Sequence, residues 1–339
     1  MMSVFNTIFR MMPVEFKLRD SGGYDYSGVT SGLEIPDVRE DVETSYRKGI
    51  KHVEDKNLGE AIKEFRGIVA LQQDSADAHY NLGVALSKAG QLLEALEEFK
   101  VSARLNPNVA EVYYNLGVLY ARLNLDEDAL KAYHRAVQLN SGYIKARYNL
   151  GLLLASKGLR RYAAQEFGMV EKLKLESARS HYNSGVAYAE KGNIYDAIVE
   201  LREAVRLDPD FYEAYCNIGS LLASKGFYNV ALMEYFKALA LKPDDPDILF
   251  NIALAYMYTE SHDRAEQYFA DVARIDRAVG TAYFYLGYVR DCQGDTVGAI
   301  DAYRKFLEYP GESDELREAA DTRVMELSDA GHGVEDTTV

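Results

Sequence analysis

One four-residue signature recurs at a fixed interval along this chain. Tyr80-Asn81-Leu82-Gly83 returns as Tyr114-Asn115-Leu116-Gly117, then as Tyr148-Asn149-Leu150-Gly151, and with one change as Tyr182-Asn183-Ser184-Gly185. The interval is 34 residues each time. Extended in both directions, the same frame puts Gly49, Gly219 and Gly287 at the glycine slot, with Ala253 there once. Twelve residues beyond each of these eight positions stands an alanine: Ala61, Ala95, Ala129, Ala163, Ala197, Ala231, Ala265 and Ala299. A period of this length, held without insertion or deletion, means stacked supersecondary units that bury a continuous core only together. The eight repeats run 42–75, 76–109, 110–143, 144–177, 178–211, 212–245, 246–279 and 280–313.

The spacing within a repeat is that of two helices. Leu82, Gly83 and Leu86 fall on one stripe of a first helix. Gly83 and Ala95 are expected where the paired helices come closest, since a larger side chain there would overpack at a cost of about 1–3 kcal/mol. Phe99, Tyr133, Phe167, Tyr235, Phe269 and Tyr303 are expected to fill the gap to the next repeat. The slot seven residues after the glycine holds Gly90, Gly158, Gly192, Gly226 and Gly294, with Asn124 in repeat three. Those residues tolerate the left-handed turn that ends a first helix. Repeat one carries Lys48 and His52 at apolar slots, as a solvent-facing terminal repeat would. After repeat eight, Ser313 is a good N-cap for a capping helix over 314–328, with Leu316, Ala320, Val324 and Leu327 on its apolar face. Residues 329–339 are expected to be a disordered tail.

The slots also carry a resemblance. Repeat two shows Leu82, Gly83, Leu86, Ala95, Phe99 and Pro107. Repeat three shows Leu116, Gly117, Tyr120, Ala129, Tyr133 and Ala136, and repeat six Ile218, Gly219, Leu222, Ala231, Tyr235, Ala238 and Pro243. This pattern resembles the tetratricopeptide repeat and covers about residues 42–313. The resemblance implies an all-α fold, a right-handed α-solenoid of eight helix-turn-helix units plus the C-terminal capping helix. It also implies a concave groove that often holds an extended peptide.

Composition limits the function. The net charge is −15 and the pI about 5.0, which argues against a general nucleic-acid binder and against an anionic membrane surface. Cys216 and Cys292 are too few for a disulfide framework and suit a reduced, cytoplasmic protein. No apolar run approaches the roughly 18 residues of a membrane span. Residues 1–41 stand outside the repeats. Val4, Phe5, Ile8, Phe9 and Met12 form a short stripe ended by Pro13, and a glycine-rich linker follows. That stripe reads either as an anchor or docking segment or as a frayed terminus. The histidines His52, His79, His134, His181, His262 and His332 form no metal pair at helical spacing with another His or Cys. His79 and His181 share a slot that is otherwise bulky, which suits packing. No catalytic, metal or cofactor site is expected.

One slot is not explained by helix packing alone. Asparagine stands two residues before the glycine slot in six successive repeats: Asn81, Asn115, Asn149, Asn183, Asn217 and Asn251. Asparagine disfavours a helix interior by several tenths of a kcal/mol. Either the amides bind the neighbouring repeat, or they bind a peptide backbone. The second reading rests on resemblance, since the superhelix of the O-linked N-acetylglucosamine transferases carries an asparagine ladder at the matching slot. Beside the ladder run Tyr80, Tyr114, Tyr148 and Tyr182. Four residues before Asn149 and Asn183 stand Lys145 and Arg179, where other repeats carry Glu43, Asp77, Glu111, Glu213 and Asp247. The expected site is therefore a peptide-binding face made of these amides, tyrosines and two cations, suited to an acidic or phosphorylated partner segment.

The functional expectation is a non-enzymatic scaffold or adaptor for a protein or peptide partner. Two alternatives stay open: a structural component that self-associates into homo-oligomers through its ends or N-terminal arm, and an accessory subunit of an enzyme such as a glycosyltransferase.

Overall fold

The structure is a computed structural model that describes residues 38–275, 280–309 and 313–332. The N-terminal arm up to residue 37 and the tail from residue 333 lie outside the described residues. Within them the chain forms sixteen α-helices and no strand. Two compact units divide it, the first ending at Leu173 and the second beginning at Lys174. The first unit holds the pairs α1 (Val38–Glu54) with α2 (Leu58–Leu71), α3 (Ala76–Lys88) with α4 (Leu92–Leu105), and α5 (Ala110–Arg122) with α6 (Asp126–Leu139). It also holds α7 (Ile144–Ser156) and the start of α8 (Arg160–Glu190). The second unit holds the end of α8, α9 (Ile194–Leu207), the pair α10 (Tyr212–Ala223) with α11 (Tyr228–Leu241), and the pair α12 (Pro246–Tyr258) with α13 (His262–Ile275). The pair α14 (Gly280–Cys292) with α15 (Thr296–Leu307) and a last helix α16 (Asp314–His332) complete it. From α1 to α7, and again from α9 to α16, each helix packs on the next in the chain.

Most repeats are locked by a ring over a glycine, whereas repeat five sets Leu201 over Gly185 and repeat seven has Ala253 at the slot. A Cβ on Gly117 would stand 2.6 Å from the Tyr133 ring, and one on Gly219 would stand 2.5 Å from Tyr235. The aromatic sixteen residues on therefore fills the close approach within its own repeat, as well as lying in the stack. Rings of the tyrosine slot close over it: Tyr80 meets Phe99 edge-on at 5.5 Å, and Tyr46 meets Phe65 at 6.2 Å. Phe65, Phe99, Tyr133 and Phe269 are fully buried, and so are Ala61, Ala95, Ala129 and Ala265. Phe167 is half-buried.

The left-handed slot is more general than its composition suggests. Gly90, Gly158, Gly192, Gly226, Gly294 and Asn124 have positive φ as expected, and Lys56 (φ 61°) and Glu260 (φ 57°) take the same turn in repeats one and seven. Side chains outside glycine are strained there, so the turn is imposed by the helices it joins.

One expected turn is missing. The frame ends repeat four at residue 177, yet α8 runs unbroken from Arg160 to Glu190. In repeats one, two, three, five and six the second helix ends on Gln72, Asn106, Asn140, Asp208 or Lys242, each leaving the helix with φ between −130° and −139°. Pro107, Pro209 and Pro243 follow three of these. Lys174, Leu175, Glu176 and Ser177 stand in the corresponding stretch. Lysine, leucine and glutamate are good helix formers, and every residue retains its N–H. Nothing there stops the helix.

Caps set several starts. Ser75 Oγ accepts from Ala78 N, and Asp245 accepts from Asp247 N and Ile248 N at the head of α12, with Pro246 in its first turn. At the far end, α16 lays Ala320 and Leu327 against Tyr303 and Phe306 of α15, with Leu316 and Val324 half-buried beside them. Arg323 grips Asp291 through both Nε (2.6 Å) and Nη2 (2.9 Å). The helix continues to His332, beyond the boundary at residue 328 drawn from the sequence.

Candidate peptide-binding face

The asparagine slot lies on the first helix of each pair. In the first compact unit the amides are buried: Asn81 is 0%, Asn115 2% and Asn149 0% exposed. Asn115 Nδ2 donates to the Tyr80 hydroxyl at 3.1 Å, so one repeat's amide reaches the preceding repeat's tyrosine. The second unit repeats the bond, from Asn217 Nδ2 to Tyr182 Oη at 3.2 Å. Here the face is open: Asn183 is exposed, and Asn217 and Asn251 are half-buried.

Asn149 differs from both. Its Nδ2 and Oδ1 are buried without a hydrogen bond, and so is the Tyr133 hydroxyl. Burial, then the neighbouring Tyr114, push the Tyr133 phenol well above its ordinary value. Asn149 works the other way, although the two groups do not meet in hydrogen-bond geometry.

The tyrosine slot is a packing slot. Tyr80 and Tyr114 are buried, and Tyr114 lies against Tyr133 and Tyr143. Tyr148 packs on Phe167 and Tyr182 stacks on Phe211 at 4.7 Å, both half-buried. Cys216 replaces the tyrosine in repeat six, and burial, then Asp245, push its thiol up to about 12. At neutral pH it is an unreactive apolar group.

The two cations stand in different compact units. Lys145 is half-buried on α7, and Arg179 is exposed on the second part of α8. Other cations of repeat four are engaged. Arg147 Nη1 holds Glu166 at 2.7 Å, and Lys157 lies 3.4 and 3.2 Å from Asp126 and Glu127.

Family profiles now match most of this architecture. A TPR repeat profile matches residues 185–226 and 219–258, one tetratricopeptide repeat profile matches 110–143, and another matches 46–110 and 250–313. The chain belongs to the tetratricopeptide repeat family. No curated protein matches it. Among solved structures it is similar to MamA at 22% identity, covering 60% of this chain and 93% of MamA, with a TM-score of 0.33. It is similar to the C-terminal part of a TPR repeat-containing protein from Cytophaga hutchinsonii at 19% identity, covering 70% and 97%, with a TM-score of 0.39. YrrB, described as a TPR protein with an unusual peptide-binding site, is 20% identical over 64% of this chain and 95% of its own, with a TM-score of 0.28.

In this tetratricopeptide protein, no group of three His, Cys, Asp or Glu among the described residues could hold a metal ion, and no described helix is long and apolar enough to cross a membrane. A cleft of about 490 Å³ in the second unit is lined by Arg274, Arg290 and Lys305. Each of these cations is tied to a carboxylate: Asp271, Glu266 and Asp301 respectively.

Sequence reasoning missed one set of contacts. His79 and His181 do pack, but each also binds a glutamate nineteen residues on, Glu98 at 2.6 Å and Glu200 at 2.7 Å. Arg147 and Glu166 occupy the same two slots. The pairing of a cation with a glutamate at that fixed separation was the available signal.

Proposed function

We propose that this chain is a non-enzymatic adaptor that holds an extended segment of a partner protein along the asparagine face of its second compact unit. The observation that carries this reading is the state of the amides there. Asn183 is exposed, and Asn217 donates to Tyr182 through Nδ2 alone, which leaves Oδ1 as an acceptor. A side-chain amide offers a donor and an acceptor, so it pairs with a peptide unit whatever that residue's side chain. Val186 and Leu254, half-buried on the same face, would contact the segment's apolar side chains.

Charge would set the register. Arg179 is exposed and makes no ion pair among the described residues, while the same slot holds Glu213 and the exposed Asp247 further along. In this reading a carboxylate or phosphate of the partner lies beside Arg179, and a basic residue lies toward Glu213 and Asp247. The buried Asn81, Asn115 and Asn149, with Tyr80, Tyr114, Tyr148 and Lys145, would serve mainly to hold the stack.

The test is affinity capture with mass spectrometry, followed by titration of the captured segment as a peptide. Asn183→Ala with Asn217→Ala should weaken its binding at least tenfold and shift Tm by only a few degrees. Arg179→Glu should weaken binding and flatten its salt dependence. Equal affinity in both variants would overturn the reading. A large drop in Tm for the asparagine pair would show instead that these amides serve the fold.

A further inference from the structure

His79 on α3 is buried, yet both of its ring nitrogens face acceptors. Nδ1 lies 2.6 Å from Glu98 Oε2 on α4, and Nε2 lies 3.0 Å from the Gln73 carbonyl oxygen in the turn after α2. A neutral imidazole carries one N–H and one lone pair. Only the imidazolium satisfies both acceptors at once. As the neutral ring, one nitrogen would turn a lone pair toward an oxygen.

Repeat four contains the same tie in a form that does not titrate. Arg147, at the same slot, donates through Nη1 to Glu166 Oε2 and through Nε to the Ser141 carbonyl, each at 2.7 Å. Ser141 corresponds to Gln73 in the frame. A guanidinium keeps its charge throughout the accessible pH range. Repeat five contains half of the tie. His181 Nδ1 lies 2.7 Å from Glu200 Oε2, but the corresponding carbonyl, Leu175, is inside the unbroken α8. Carbonyls in a helix interior are bonded to the N–H four residues on. His181 therefore faces one acceptor and can serve as a neutral donor.

Where the second slot is Ala132, Tyr268 or Ala302, the first holds Tyr113, Leu249 or Tyr283, while repeat one sets Ser45 opposite Glu64. Repeat six retains a buried Glu234 and meets it with Lys237 at 2.9 Å.

We propose that His79 is a proton-dependent latch that pins the turn between the α1–α2 and α3–α4 pairs in mild acid and releases it as pH rises. Around the ring, α4 presents Glu98 and the turn presents the Gln73 carbonyl. Asp74 lies in that turn, Asp77 on α3 itself and Glu111 on α5. Arg66 of α2 pairs with Glu94 of α4 at 2.6 Å, and no lysine or arginine bonds to the ring among the described residues. The partners of the ring are thus acceptors alone, so the number of protons on the ring decides how many of these bonds it makes. Losing one bond loosens α2 and the 72–75 turn, because each repeat contacts only its neighbours.

Hydrogen exchange on the full chain, read by mass spectrometry and corrected for intrinsic rates, tests the latch from about pH 5.5 to 8.5. Wild-type protection over α2 and the 72–75 turn should fall about tenfold as pH rises across that window, the scale of one hydrogen bond to a charged group. His79→Arg should hold that protection high and flat, as the Arg147 tie does. His79→Gln should leave it low and flat. Protection around the 140–143 turn should be independent of pH in all three proteins. A wild-type profile as flat as that of His79→Arg would overturn the latch, and so would a pH-dependent loss that persists in His79→Arg.

Discussion

At Gly219 a backbone and a ring occupy nearly the same space. A Cβ there would lie 2.5 Å from Tyr235 Cε1 and 2.9 Å from Cζ, and Tyr235 is almost fully buried with its hydroxyl 3.2 Å from Ser220 Oγ. The ring has no room to yield. Gly219→Ala should therefore destabilise the fold by about 1–3 kcal/mol in chemical denaturation. Gly67, exposed on α2 with nothing within 4 Å of its would-be Cβ, should behave in the opposite way. Gly67→Ala should stabilise by about 0.5–1 kcal/mol, since alanine loses less backbone freedom in a helix. Equal effects at the two positions would show that the period does not mark close contact. At this scale the sequence displayed which residues recur, because slots that must be small are visible as Gly and Ala. It did not display what the asparagines touch. The bond from Asn115 to Tyr80 joins residues 35 apart, on helices whose separation no local pattern encodes.

The helices were legible wherever their ends carry chemistry. Glycine or asparagine marked most of the left-handed turns, and Asn106-Pro107, Asn140, Asp208-Pro209 and Lys242-Pro243 marked returns by an Asn, an Asp or a proline. Two kinds of element were not. Lys56 and Glu260 adopt positive φ without the residues that favour it, so only the fold reveals the turn. Their conformation costs about 1–2 kcal/mol each, against about 0.5–1 kcal/mol of extra chain entropy that glycine loses on folding. Lys56→Gly and Glu260→Gly should thus each raise stability by roughly 0.5–1 kcal/mol, visible as a higher Tm. A fall in Tm would mean that these side chains make contacts worth more than the strain. The unbroken α8 escaped notice for the converse reason. The period continues through residues 174–177, while the local residues lack any signal that would end a helix. Local propensity prevailed over the periodic frame there.

Across the whole molecule, two compact units share one helix. Stability in a repeat array is approximately a sum of intrinsic and nearest-neighbour terms. Between adjacent repeats the neighbour term is made of side chains, such as Asn115 against Tyr80, and many small substitutions can erode it. At residues 174–177, where the frame would end a repeat, the main-chain ladder of α8 runs on unbroken. Helix growth adds one bond per residue, whereas a new nucleus is costly. Continuity at this point therefore tolerates most residue changes and fails at the removal of a donor. Glu176→Pro deletes one N–H and strikes the carbonyl four residues back, a penalty of about 3 kcal/mol. Circular dichroism should show a lower Tm in that variant, and an unchanged Tm would show that the unbroken ladder of α8 adds nothing to stability. The stretch from Lys174 to Ser177 is then tolerant of most side chains and intolerant of a lost backbone donor, because what it contributes is carried by the main chain.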